Sequence, residues 1–256
     1  AVSNADCTAV GFGALDAATS GNSNTAVGSY SLSNTVDGTR NTSVGYNSMN
    51  ADCVDDNTAV GNAALANFTG SDAVAIGSGA ADVAVSQSNL TAVGAGALGA
   101  ATSGNHNTAV GTDSLKTVDG ANNTAVGSGT LGADCVSNNV AMGYAALNAF
   151  TGSDATAVGS GAADAVTSGA ANLTAVGRAA LGAAVSGNNN TAVGAYALDG
   201  TIDGSDNTAM GQGALSADCV ADNTAVGKAA LQAFTGSNAT AVGSGAADAA
   251  TSATFL

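Results

Sequence analysis

Polar and apolar residues alternate along this chain in short bursts that return on a fixed beat. Fifteen times a Thr-Ala-Val-Gly motif, or a close variant, recurs at intervals of 16 to 18 residues. Its glycines are Gly11, Gly28, Gly45, Gly61, Gly77, Gly94, Gly111, Gly127, Gly143, Gly159, Gly177, Gly194, Gly211, Gly227 and Gly243. The residue before the glycine is Val in twelve repeats, with Ile76, Met142 and Met210 in the others. Three before it is Thr in thirteen, Val74 and Val140 being the exceptions, and two before it is Ala everywhere but Ser43. Four after it is Leu or Met in twelve repeats and Ala81, Ala163 or Ala247 in the rest. A unit this short cannot bury an apolar face alone. The repeat therefore predicts an all-β chain, a β-solenoid or β-roll of about 15 coils, each coil closed by the coils above and below it.

Period-two alternation along Asn-Thr-Ala-Val puts Thr and Val on one face and Asn and Ala on the other. Taking the bulkier apolar residue as inward predicts a core column of Val10, Val27, Val60, Ile76 and Val93, with Ala facing out. Leu15, Leu32, Leu65 and Leu98 then fill the core from the opposite wall. Gly11, Gly28, Gly45, Gly61, Gly77 and Gly94 turn the corner, where a positive φ or close backbone packing excludes a Cβ. At about 4.8 Å per coil, fifteen coils make a rod on the order of 70 Å long.

A longer period lies over the short one. Five coils form a super-repeat of about 83 residues, present three times at approximately 1–83, 84–166 and 167–256. Asp-Cys-Val recurs at 52–54, 134–136 and 218–220, and Phe-Thr-Gly-Ser at 68–71, 150–153 and 234–237. No linker separates the copies, so residues 1–256 read as a single continuous solenoid. Ala1-Val2-Ser3 opens half-way through a coil and Leu256 closes just before the next motif, without a polar cap. Uncapped sheet edges pair with whatever stacks on them, which predicts head-to-tail polymerisation or an excerpt from a longer rod.

Composition narrows the function classes. Proline is absent, as expected where every coil needs its ladder donors, and with no glutamate all nineteen acidic residues are Asp. A net charge of −15 with four basic residues leaves little to neutralise phosphates, which argues against nucleic acid and against an anionic membrane surface. No apolar run approaches the ~18 residues of a spanning helix.

Candidates for chemistry are sparse. His106 is the sole histidine, so no triad or zinc site can be assembled and no enzyme is expected. Asp clusters with Asn and Gly at coil corners and reads as turn-forming; calcium is the alternative, but the Gly-Gly-x-Gly-x-Asp pattern is missing. Cys53, Cys135 and Cys219 share a column five coils apart, roughly 24 Å at the strand spacing, beyond disulfide reach. With Cys7, they read either as interchain disulfides between neighbouring rods or as small buried thiols. The first reading implies an oxidising compartment. Asn-x-Ser/Thr triplets at Asn41, Asn67, Asn89, Asn122, Asn172, Asn189 and Asn238 are glycosylation acceptors by pattern. Phe68, Phe150 and Phe234 form a column read as core filling, and Tyr30, Tyr46, Tyr144 and Tyr196 as surface aromatics.

The string Gly187-Asn188-Asn189-Asn190-Thr191-Ala192-Val193-Gly194-Ala195-Tyr196-Ala197-Leu198 resembles the Asn-Thr-Ala-Val-Gly-x-x-Ala-Leu repeats of phage-type tail fibres. Ala73-Val74-Ala75-Ile76-Gly77-Ser78-Gly79-Ala80 is similar to the head repeats of trimeric autotransporter adhesins, whose coils are shorter. The resemblance implies a rigid extracellular shaft on a cell surface or virion, often trimeric, with the small Ala column buried against the partner chains.

The expected function is therefore structural. The chain reads as a self-assembling extracellular fibre or shaft, polymerising head-to-tail or as a homotrimer, its partner being itself. It is adhesive if a surface glycan or host receptor is its target. The alternative is an ice-binding or glycan-binding solenoid with no cofactor. A Thr column favours ice, but an inward Thr column, with Val as its second rank, counts against it.

Overall fold

In the computed structural model, which describes residues 5–167, 171–183 and 186–252, every coil contributes one three-residue strand at the repeated motif. The terminal residues on which the uncapped-end reading rests lie outside the described ones. Backbone contacts cluster the chain into two units, Ala1–Ser128 and Gly129–Leu256. The first holds β1 (Thr8–Val10), β2 (Thr25–Val27), β3 (Thr42–Val44), β4 (Thr58–Val60), β5 (Val74–Ile76), β6 (Thr91–Val93), β7 (Thr108–Val110) and β8 (Thr124–Val126). The second holds β9 (Val140–Met142), β10 (Thr156–Val158), β11 (Thr174–Val176), β12 (Thr191–Val193), β13 (Thr208–Met210), β14 (Thr224–Val226) and β15 (Thr240–Val242). No α-helix occurs among the described residues, and none is therefore long and apolar enough to cross a membrane.

Within each unit successive strands pair parallel with no register slip, Thr opposite Thr and Ala opposite Ala. Thr25 N–H donates to Asn41 C=O of the next coil at 2.8 Å, and Gly28 N–H to Val10 C=O of the previous one at 2.7 Å. Each unit is a β-solenoid, as the 16-to-18-residue beat predicts.

The inward face is the opposite of the expected one. Ala26, Ala59, Ala75, Ala92 and Ala109 are fully buried, and so are Ala141, Ala157, Ala192 and Ala225 in the second unit. Val10, Val60 and Ile76 are exposed, and Val27 and Val93 only half-buried, so the predicted Val core column points outward. Alternation had paired the right residues; the sign failed. The reason is volume. A coil this small has room on its strand wall for a methyl group, because the interior is already filled from the other wall. There Leu32, Leu65 and Leu98 are fully buried as predicted, while Leu15 is half-buried. Next to them the residue three after the turn glycine, Ala64, Ala80, Ala97 or Ser31, is buried as well.

Two consecutive inward residues are impossible in a strand, and the backbone supplies the turn that allows them. Leu32, Leu65, Leu98, Leu147 and Leu198 all sit in the left-handed region at φ of 50–53°. This conformation costs roughly 1–2 kcal/mol at a non-glycine residue. Burying the Leu side chain stabilises by about 1.5–3 kcal/mol, which offsets it. The Leu98 N–H also donates to Ser114 C=O at 3.0 Å. Ser43, the lone departure from Ala on the strand wall, is buried with its hydroxyl 2.7 Å from that of Ser31, which satisfies both.

Candidate functional site

The corners explain most of the polar composition. Five residues before each turn glycine the backbone again adopts positive φ, and the occupant is Asp or Asn in twelve coils, including Asp56, Asp72, Asn89, Asn122, Asp154 and Asn238. These two residues tolerate the left-handed region because their short side chains bond locally. His106 occupies the same place, exposed, at φ 60°. Of the seven glycosylation-pattern asparagines, Asn89, Asn122, Asn172, Asn189 and Asn238 share this exposed column, Asn67 is exposed elsewhere, and Asn41 is buried.

Asn41 belongs to a column that the sequence marks but does not interpret. The residue just before the strand is Asn in nine coils. Asn24 Nδ2 donates to Gly38 C=O at 2.7 Å and its Oδ1 accepts the Asn41 N–H at 2.9 Å; Asn41 repeats the pattern with Val54 C=O and the Asn57 N–H. In the second unit Asn190, Asn207 and Asn223 chain in the same way. Stacked side-chain amides thus stitch the corner inside each solenoid.

The cysteines lie inside as well. Cys53, Cys135 and Cys219 are buried, with Cys53 Sγ 3.3 Å from Thr35 Oγ1 and Cys219 Sγ 3.3 Å from Thr201 Oγ1. Burial pushes the Cys53 and Cys135 thiols up to about 11, Cys219 shifting the same way. Buried, protonated thiols cannot bridge to a neighbouring molecule, so the interchain-disulfide reading is corrected for these three. Cys7 is half-buried, its thiol donating to Gly21 C=O at 3.4 Å.

Charged groups sit at corners and are used locally. Arg40 grips Asp56 through two 2.6 Å contacts, which hold the Asp56 carboxyl below its ordinary range. Asp119 accepts from Thr102 Oγ1 at 2.6 Å and from the Ser103 N–H, so its pKa is lowered too. No group of three His, Cys, Asp or Glu able to hold a metal occurs among the described residues. Phe68, Phe150 and Phe234 are fully buried.

One surface open to recognition is the outward face of the strands. It carries Thr and Val, or their replacements, at every coil, with no charged residue in any of the fifteen strands. Val60 is 38% exposed, Ile76 42%, Met142 47% and Met210 46%. These exposed β-branched and apolar side chains are not interrupted by charge within the strands of either unit. Beside its first coils Phe12, Tyr30 and Tyr46 stack edge to face, with ring centroids 5.4 and 6.3 Å apart. Sequence reasoning placed Thr and Val together on one face but turned that face inward. No protein-family model matches the chain, and no curated protein matches it significantly in sequence.

Proposed function

We propose that this chain is a structural, self-associating shaft or fibre protein that works outside the cell, with its outward Thr/Val face as the surface on which copies pack. One observation carries this reading. In a chain of net charge −15 the strand face is free of charge, and it repeats in register along the ladder of each unit. Charge at the corners opposes non-specific aggregation. The uncharged, ridged face gives a second copy the same spacing to pack against. The resemblance to tail-fibre and adhesin-head repeats supports the same reading, the contact face being Val and Thr rather than the Ala first expected.

Electron microscopy and sedimentation of the purified chain, with and without reductant, test the reading. The expected result is filaments or a discrete oligomer that reductant leaves unchanged, since three of the four thiols are buried. A monomer at all concentrations overturns it.

The outward Thr column also favours a second reading, an ice-binding solenoid. The objection that Thr points inward no longer stands, because Thr25, Thr58, Thr91 and Thr108 lie half-exposed on a repetitive face. Val as the second rank supplies methyl groups without hydroxyls. Thermal hysteresis in a monomeric sample separates this reading from the fibre.

A further inference from the structure

The four basic residues do not behave alike. Arg40 is paired with Asp55 and Asp56, and Lys116 with Asp113. Among the described residues neither Arg178 nor Lys228 forms an ion pair with a carboxylate. Both lie in the second unit and both immediately follow a turn glycine; Lys228 lines a groove there, and Arg178 packs on Tyr196 of its wall.

That groove has a volume of about 410 Å³ and is lined by Tyr196, Asp199, Gln212, Ser216, Lys228 and Gln232. Its size falls in the range of small-ligand sites. Gly213 also lines it, and a Cβ there would make only ordinary contact, 3.7 Å from Gln232 Nε2. The Arg178 guanidinium stacks over the Tyr196 ring, 4.6 Å from its centroid, and fixes the aromatic wall. Burial, followed by the nearby Asp164 carboxylate, raises the pKa of Asp199.

The same places in the other two super-repeats carry different chemistry. Lys228 corresponds to Asn62 and Tyr144, Gln232 to Ala66 and Asn148, and Gln212 to Tyr46 and Ser128. The neighbouring framework is kept, Ala225, Gly227 and Leu231 repeating Ala59, Gly61 and Leu65. A cation, two amides, a hydroxyl and an aromatic ring thus converge only in the third copy.

We propose that this groove binds an acidic sugar, a uronate-type residue. Lys228 would meet its carboxylate, Gln212, Ser216 and Gln232 its hydroxyls, and Tyr196 the apolar face of its ring. An ammonium offers three donors to a carboxylate, and side-chain amides offer both a donor and an acceptor to vicinal hydroxyls, which suits a polyhydroxylated anion better than a plain one.

The test is a nuclear magnetic resonance titration of the full, isotope-labelled chain with a trimer of galacturonic acid, and separately with its neutral methyl ester. The acid is expected to saturate with Kd on the order of 1 mM, shifting the side-chain amides of Gln212 and Gln232. Lys228→Gln and the ester should each weaken binding about tenfold or more. Lys228 is exposed, so an unchanged strand spectrum will show that the variant is folded. Absence of saturable shifts, equal binding of acid and ester, or a Lys228→Gln variant that binds as tightly each overturns the proposal. So do shifts confined to amides away from the groove.

Discussion

At the scale of single residues the turn glycine is the least replaceable group in the coil. At Gly94, φ is +135°, and an added Cβ would lie 2.5 Å from the carbonyl oxygen of Gly111 in the next coil. The obstacle is backbone, not a side chain that could swing away, and the conformation is one that L residues rarely adopt. Gly94→Ala should therefore cost more than about 3 kcal/mol, at the far end of single-substitution effects. Denaturant unfolding measures it. A loss under about 1 kcal/mol, no more than an ordinary substitution costs, would mean the glycine stack is looser than these distances indicate. The left-handed Leu beside it follows another logic, since there the strain is offset by burial of a whole side chain.

At the scale of the element, the coil holds its corner with amides rather than apolar bulk. Asn107 is fully buried; its Nδ2 donates to Gly120 C=O at 2.8 Å and its Oδ1 accepts the Asn123 N–H at 2.9 Å. Asn107→Asp keeps the acceptor and replaces the donor with a buried charge, so its carboxyl pKa must rise. A group whose folded pKa is raised contributes stability below its unfolded value and loses it as pH climbs through the folded one. The variant should thus approach wild-type stability near pH 4 and lose about 2–4 kcal/mol by pH 7. Asn107→Leu should cost a smaller, pH-independent amount, because Leu90 and Leu173 already occupy this column. Unfolding midpoints at pH 4 and 7 distinguish them. Identical pH profiles for both variants would remove the amide ladder from the account.

The coil also shows how far residue patterns can be read. Period, strand position, the Gly column and the Leu column were all legible, since each follows from spacing alone. That Asn and Ala share a face was legible too. Which face points inward was not, because alternation is symmetric and the choice turns on interior volume, which only the closed coil defines. Hydrophobicity misleads there: Ala109 is buried and Val60 exposed although Val is the more apolar. The cysteine column was legible as a column, with buried thiols as one of its two readings, and the closed coil decides for burial at Cys53, Cys135 and Cys219. The groove at Lys228 had no local signature, because its lining residues come from three coils that only stacking brings together.

At the scale of the molecule, charge and shape divide the surface. Nineteen aspartates and four basic residues are all excluded from the strands, so repulsion between copies acts at the corners, while the strand face carries none. Association through that face is then limited by long-range repulsion, and salt that screens it should strengthen assembly. Val44 and Ile76, 37% and 42% exposed and two coils apart in the first unit, test the assignment directly. Val44→Lys with Ile76→Lys puts two cations on the outward face without touching the interior. Stability should change by no more than about 0.5 kcal/mol per site, as for ordinary surface substitutions. Self-association should be lost, because burying two unpaired ammonium groups in a contact costs several kcal/mol. The contrasting Ala109→Val adds two methyl groups inside the coil and should cost about 1–3 kcal/mol by overpacking. Sedimentation reads the first effect and thermal unfolding the second. A lysine pair that unfolds the chain while Ala109→Val is neutral would reverse the inward and outward faces; a folded lysine variant that still assembles would move the contact between copies elsewhere.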